Sequence, residues 1–229
     1  MKKLFVMAAL SVATLTASAQ FAPGTISVQP RIGATGSMLS NMPDLPLDNG
    51  GKIDATATGG LFFGADLEFM LTDMLSLSAG VNWAQAGSGW KDYKYKENGS
   101  TLEVKDLKVQ TGYINVPITA SVYIVKGLAV RTGVQFSFLT NAKMKCTVTG
   151  SASEGGVNYN MNTDIDESCK DDFEKFDVSL PVGLSYEFNN HLVIDARYNA
   201  GLLKVNKEKA EKDSKNQVFC LTLGWKLPL

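Results

Sequence analysis

From Gly24 onward, apolar residues recur at every second position over long segments, and each segment is closed by a turn. That period belongs to a β-strand with one apolar and one polar face. Between positions 175 and 188, Phe176, Val178, Leu180, Val182, Leu184, Tyr186 and Phe188 alternate with Lys175, Asp177, Ser179, Pro181, Gly183, Ser185 and Glu187. Ile114, Val116, Ile118, Ala120, Val122 and Ile124 are set in the same way against Tyr113, Asn115, Pro117, Thr119, Ser121 and Tyr123. Leu61, Phe63, Ala65, Leu67, Phe69 and Leu71 stand opposite Phe62, Gly64, Asp66, Glu68 and Met70. Weaker alternation at about 25–39, 74–90, 128–144, 191–204 and 216–228 brings the expected number of strands to eight.

The connections alternate in length. Short turns of turn-forming residues fall at Thr72-Asp73-Met74, Val125-Lys126-Gly127 and Asn189-Asn190-His191. Long polar loops are expected at about 40–56, 91–106, 145–172 and 205–215. An eight-stranded antiparallel array has three connections at the end that holds both termini and four at the other. Three short and four long is the pattern of outer-membrane barrels. The expected fold is therefore all-β, an eight-stranded antiparallel up-and-down transmembrane β-barrel.

A soluble barrel or sandwich would alternate equally, with its apolar face turned inward. Three features favour lipid. The clearest segments alternate for a dozen residues or more, whereas soluble strands average five or six and a tilted spanning strand needs roughly 9 to 11. Glycine recurs on the polar face at Gly33, Gly64, Gly80, Gly133, Gly183, Gly201 and Gly224, where a narrow barrel interior leaves little room. Aromatic residues gather at two levels: Phe69, Tyr186, Phe188 and Trp225 toward the short turns, and Phe63, Trp83, Phe136, Phe138, Phe176 and Phe219 toward the other half. Girdles of this kind flank the apolar band of membrane barrels.

The N-terminus sets the address. Met1-Lys2-Lys3 precedes an apolar stretch from Leu4 to about Leu15 and the small residues Thr16-Ala17-Ser18-Ala19, as in a secretory signal peptide. That stretch is too short for a spanning helix, and no later segment approaches one. Residues 1–19 are read as signal peptide and 20–229 as one outer-membrane β-barrel domain, integral after cleavage. Removing Lys2 and Lys3 leaves acidic residues in slight excess, which argues against a nucleic-acid partner. Export also exposes the three cysteines to an oxidising compartment. Cys146 and Cys169 bracket a polar stretch and form the candidate disulfide, with three unpaired thiols as the alternative.

Parity places Arg31, Asp66, Glu68, Arg131, Asp177, Glu187, Asp195, Arg197 and Lys226 in the lumen. An unpartnered buried charge is costly, so these are expected to pair as a luminal charge network. Eight strands enclose just enough space for side chains, which argues for a filled barrel over an open pore. Asp66 and Glu68 raise the question of paired-carboxylate catalysis, but residues i and i+2 share a face in any strand, and arginines are at hand to neutralise them. His191, the only histidine, falls in a short turn. No catalytic residue and no enzymatic activity is expected. Asp164-Ile165-Asp166-Glu167-Ser168 lacks the glycine and terminal glutamate of a calcium loop, so neither metal nor cofactor is expected. Lys91-Asp92-Tyr93-Lys94-Tyr95-Lys96 and the run from Lys204 to Lys215 read as solvated loop tips.

Tyr113-Ile114-Asn115-Val116-Pro117-Ile118, Gly183-Leu184-Ser185-Tyr186-Glu187-Phe188 and Asp195-Ala196-Arg197-Tyr198-Asn199-Ala200-Gly201-Leu202 resemble segments of the Bacteroidetes outer-membrane β-barrel family, called PorT-like. The resemblance runs through the mature chain in strand order. It implies a small outer-membrane barrel and, as one option, an accessory part in protein secretion across the outer membrane. Gly224-Trp225-Lys226-Leu227-Pro228-Leu229 is similar to the terminal-strand signal read by the barrel-insertion machinery, with Leu in place of the usual final aromatic residue.

The leading expectation is a barrel with a filled polar lumen and a structural or surface-interaction role carried by its long extracellular loops. The alternative is an accessory component of a secretion or transport system. The expected partners are outer-membrane lipid and lipopolysaccharide, the insertion machinery during biogenesis, and a surface or secretion-system protein.

Overall fold

A computed structural model describes residues 21–42, 44–46, 52–97, 100–154, 157–207 and 213–229. Residues 1–19, expected as a signal peptide, lie outside the described residues. Eight long strands follow the alternating segments. They are β1 (Ile26–Leu39), β5 (Thr58–Met70), β6 (Leu75–Trp90), β8 (Ser100–Val125), β9 (Leu128–Glu154), β11 (Phe176–Glu187), β12 (Leu192–Gly201) and β13 (Asn216–Trp225). Between them lie β2 (Leu45–Pro46), β3 (Lys52–Ile53), β4 (Ala55–Thr56), β7 (Tyr93–Glu97) and β10 (Val157–Ser168), a single 3-10 turn at Lys170–Asp172, and finally β14 (Leu227–Pro228).

All but β2 and β3 belong to one twelve-stranded antiparallel sheet, and a closed ring runs through the eight long strands. β1 pairs with β13 on one side and with β5 on the other, so the first and last long strands form the seam. The ring is staggered. Following partners from Thr35 leads to Cys220, Arg197, Gly183, Arg131, Ser121, Ser76 and Met70, whose backbone N–H donates to the Thr25 carbonyl. One circuit thus returns to β1 ten residues from its start, at Thr25 instead of Thr35. With about 3.3 Å per residue and about 4.8 Å between strands, eight strands so staggered tilt by about 40° and enclose a cylinder roughly 16 Å across between backbones.

Side chains alternate around this ring as parity requires. Ile32, Leu61, Val81, Ile118, Val182, Leu184 and Leu221 are among the large apolar residues exposed on its outer surface, while Gln29, Asp66, Glu68, Ser121, Arg131 and Asp195 are buried inside it. Soluble domains bury their apolar face; this barrel buries its polar one. Aromatic contacts lie at two levels, with Tyr186 against Phe188 near the short turns and Phe63–Trp83 and Phe138–Phe176 farther along the strands.

The polar-face glycines answer to the neighbouring backbone. A Cβ at Gly33 would fall 2.7 Å from Thr222 Cα, one at Gly133 2.7 Å from Thr119 Cα, and one at Gly183 2.9 Å from Arg197 Cα. A small ring curves sharply enough that the adjacent strand occupies the Cβ position. Luminal side chains crowd other positions, Asp66 Oδ1 at Gly80 and Gln29 Nε2 and Arg31 Cγ at Gly224, as expected from the narrow interior.

Two of the expected loops are strands. Residues 91–106 and 145–172 were expected as polar loops, but β8 and β9 continue past the ring and are flanked by β7 and β10. They form a four-stranded sheet, ordered β7-β8-β9-β10, that projects from the long-loop end. Register shifts between Lys105 and Lys108 and between Gly112 and Tyr113 mark where it bends away from the ring.

Candidate functional site

The lumen holds two ionic clusters. In the middle, Arg31 on β1 reaches Asp66 at 2.5 Å and Asp195 at 2.6 Å, and it donates to Thr222 at 2.9 Å. Arg131 lies 3.5 Å from Asp66 and 3.7 Å from Asp195, with its Nε bonded to Ser121. Arg197 lies 3.2 Å from Asp195. Three guanidiniums therefore share two carboxylates. Guanidinium suits such a place because its planar set of donors can serve several acceptors at once.

Nearer the short turns, the Lys226 ammonium sits 2.6 Å from Glu68 and 2.7 Å from Glu187. It donates to the Tyr123 hydroxyl at 2.9 Å, and Tyr123 in turn donates to Glu68. Ser76 also donates to Glu68. His191 Nδ1 lies 2.9 Å from the other Glu187 oxygen, and its ring stacks on Phe21. The turn histidine thus helps close this end. Positive φ at His191 fits its place in the tight turn.

Eight of the nine charges assigned to the lumen take part in these clusters. The ninth, Asp177, stands apart near the long-loop end and is 2% exposed. It accepts a 2.9 Å bond from Asn216 Nδ2. Phe173, Val205, Leu139, Val218 and Trp90 belong to an apolar cluster, the apolar plug, at the same end. Asp66 and Glu68, the pair weighed for catalysis, are each engaged by cations or hydroxyls.

The projecting sheet has two unlike faces. Paired positions put Met144, Cys146, Val148, Val104, Leu102, Tyr93, Tyr95, Met161 and Ile165 on one side. Lys145, Asp166, Lys108, Thr147, Asp164, Lys105, Thr149, Glu103 and Lys94 lie on the other. Tyr95, Leu102, Met144, Met161 and Ile165 are exposed. The polar side is laced by Lys143–Asp166 at 3.0 Å, Lys145–Asp166 at 3.6 Å and Lys105–Glu103 at 3.2 Å. The hydrogen bond from Lys143 holds the Asp166 carboxyl below its ordinary value. Among the described residues β10 pairs only with β9, so its outer edge carries free backbone donors and acceptors. The sequence reading missed this sheet and placed Lys91–Lys96 in a solvated tip; Tyr93 and Tyr95 on alternate positions were the available signal.

The candidate disulfide is absent. Cys146 faces Ile165 across the β9–β10 ladder, whereas the Cys169 N–H bonds to the Ala142 carbonyl. Four rungs of about 3.3 Å separate the two cysteines, well beyond disulfide reach, and both are free, as is Cys220. Burial, aided by the Asp172 carboxylate, raises the Cys169 thiol above its ordinary value. Cys220 faces the lumen, where its sulfur accepts a 3.5 Å contact from Asn199 Nδ2.

The family model for the outer membrane protein beta-barrel domain matches residues 18–206. No curated protein matches the chain. Among solved structures, the attachment invasion locus protein Ail of Yersinia pestis is similar at 14% identity, over 90% of this chain and 99% of that one, with a TM-score of 0.39. Neisserial surface protein A is similar at 13% identity, over 88% of this chain and 97% of that one, with a TM-score of 0.41. The outer membrane protein OprG of Pseudomonas aeruginosa is similar at 11% identity, over 92% and 99%, with a TM-score of 0.37.

Proposed function

The chain belongs to the outer membrane protein beta-barrel domain family, and from that premise we propose that it is a non-enzymatic surface-interaction barrel of eight spanning strands, with the long-loop end outside. After cleavage of residues 1–19 the barrel anchors the projecting sheet, and that sheet meets the partner. One observation carries this reading: β7, β8, β9 and β10 form an amphipathic sheet whose apolar face is exposed and whose β10 edge is unpaired among the described residues. Exposed apolar sheet faces and open edges are a liability that proteins ordinarily cover. Here the barrel holds one rigidly beyond the membrane, which suits capture of an extended protein segment through backbone bonds to β10 and side-chain contact on the apolar face.

The filled lumen supports the non-enzymatic part of the reading. Eight of its nine charges are engaged in ion pairs, and the lone histidine is bonded to a carboxylate at the short-turn end. The alternative, an accessory of a secretion system, rests on the resemblance of three strand segments and on no feature of the structure.

The test is display on cells or in nanodiscs with Met161→Lys and Ile165→Lys, which spoil the apolar face without touching the ring. Binding to surface proteins should fall at least tenfold while heat-modifiable gel migration stays unchanged. Unaltered binding by this variant, or by one lacking residues 145–168, would sink the proposal.

A further inference from the structure

The lumen does not balance its own charge. Arg31, Arg131, Arg197 and Lys226 offset Asp66, Glu68, Glu187 and Asp195, and Asp177 is left over. No cationic side chain lies within 4 Å of Asp177 among the described residues. Its donors are the neutral Asn216 amide at 2.9 Å and the backbone N–H groups of Val178 and Leu203, and Lys215 acts on it only at long range.

Asp177 lines a chamber of about 30 Å³ walled also by Tyr113, Asn115, Gln135, Ser179 and Asn199. Ala84, Ala86 and Val218 of the apolar cluster complete its wall. Two neutral oxygens of the chamber-lining residues lack a hydrogen-bond partner: Ser179 Oγ and Asn199 Oδ1. Each belongs to a side chain of a residue no more than 6% exposed. Two orphaned oxygens beside one carboxylate that has no cation form a hard, singly negative oxygen set. Burying them unpaired is unfavourable for each group.

We propose that this chamber holds a monovalent metal cation, sodium or potassium, as the missing countercharge of the lumen. Its size admits one ion with a water or two. The all-oxygen set suits an alkali cation, and a single carboxylate is too little charge for a calcium cage. The cation links β11 and β12 beside the apolar cluster, so it stabilises the outer half of the barrel.

The test is thermal unfolding of the full barrel in detergent micelles, in sodium or potassium chloride against N-methylglucamine chloride at equal ionic strength. A bound ion stabilises the folded state by mass action. The midpoint should rise saturably with sodium or potassium and not with the bulky cation. Asp177→Asn should abolish the difference, and Ser179→Ala should shift the half-saturating concentration upward by roughly tenfold, the order lost with one ligand. Sodium NMR linewidth should broaden with the wild type and not with Asp177→Asn. Equal midpoints in all three salts would overturn the proposal, as would the same cation increment in Asp177→Asn. An infrared band of a protonated carboxyl that disappears in Asp177→Asn would overturn it as well. If Asp177→Asn fails to fold, the wild-type salt series and Ser179→Ala decide.

Discussion

Lys226 and Glu68 meet at 2.6 Å inside the barrel, one just past the last long strand and the other on β5, with β1 between them. The contact ties both sides of the seam together. Replacing Lys226 by Met strands Glu68 and Glu187 as buried anions. The expected cost is about 3–5 kcal/mol, read from urea unfolding in lipid vesicles. Adding Glu68→Gln and Glu187→Gln to the same variant should restore most of the loss, because the penalty comes from unpaired charge. A variant that stays as unstable after neutralisation would show that Lys226 acts by packing.

The outer face makes the opposite demand. Ile32 is 67% exposed on β1 between the luminal residues Arg31 and Gly33. Ile32→Arg should cost about 2–4 kcal/mol of folding free energy in bilayers, as expected for arginine on a lipid face near the midplane. Equal stability of this variant and the wild type would contradict a lipid-facing β1.

Glycine positions can be separated by what surrounds them. Gly133→Ala puts a methyl 2.7 Å from Thr119 Cα, whereas Gly150→Ala in the projecting sheet meets only the Met161 side chain at 3.7 Å and 3.8 Å. The first should cost about 1–3 kcal/mol through overpacking; the second should be near neutral. Paired unfolding curves of the two variants measure the contrast.

The thiols offer a chemical readout. The intact protein should run as three free cysteines without reducing agent, with Cys220 protected from maleimide until the barrel is unfolded. Cys169, whose thiol is raised by burial and Asp172, should gain reactivity only as pH climbs beyond the ordinary thiol range, since the thiolate is the nucleophile. A mass lower by one disulfide in the native protein would contradict the β9–β10 register.

Much of the barrel was legible because alternation is a property of the backbone and needs no knowledge of partners. Asp66 and Arg131 could be assigned to the inside by parity alone. Their contact could not, because which levels meet depends on the stagger of the whole ring, and no local segment encodes it. The same holds for Asp177: parity set it among nine charges, and only the register shows that it stands beyond the others. Residues 145–168 misled for another reason. Thr147, Thr149 and Ser151 alternate with Cys146, Val148 and Gly150, a pattern too weakly apolar to announce a strand. They are strand because β8 and β10 pair with β9 on either side. The candidate disulfide failed likewise: bracketing a polar stretch said nothing about the four rungs between the cysteines.

Turning the apolar residues outward on alternate positions also governs how the chain travels. Each crossing segment interleaves Leu, Ile or Val with Ser, Gly, Asp or Arg, so its average hydropathy stays low even though half its side chains meet lipid. A translocation channel that selects long apolar helices finds nothing here to retain. The protein can therefore pass through one membrane as a stranger and become a resident of the next, because its affinity for lipid exists only after neighbouring strands have paired and sorted the two faces.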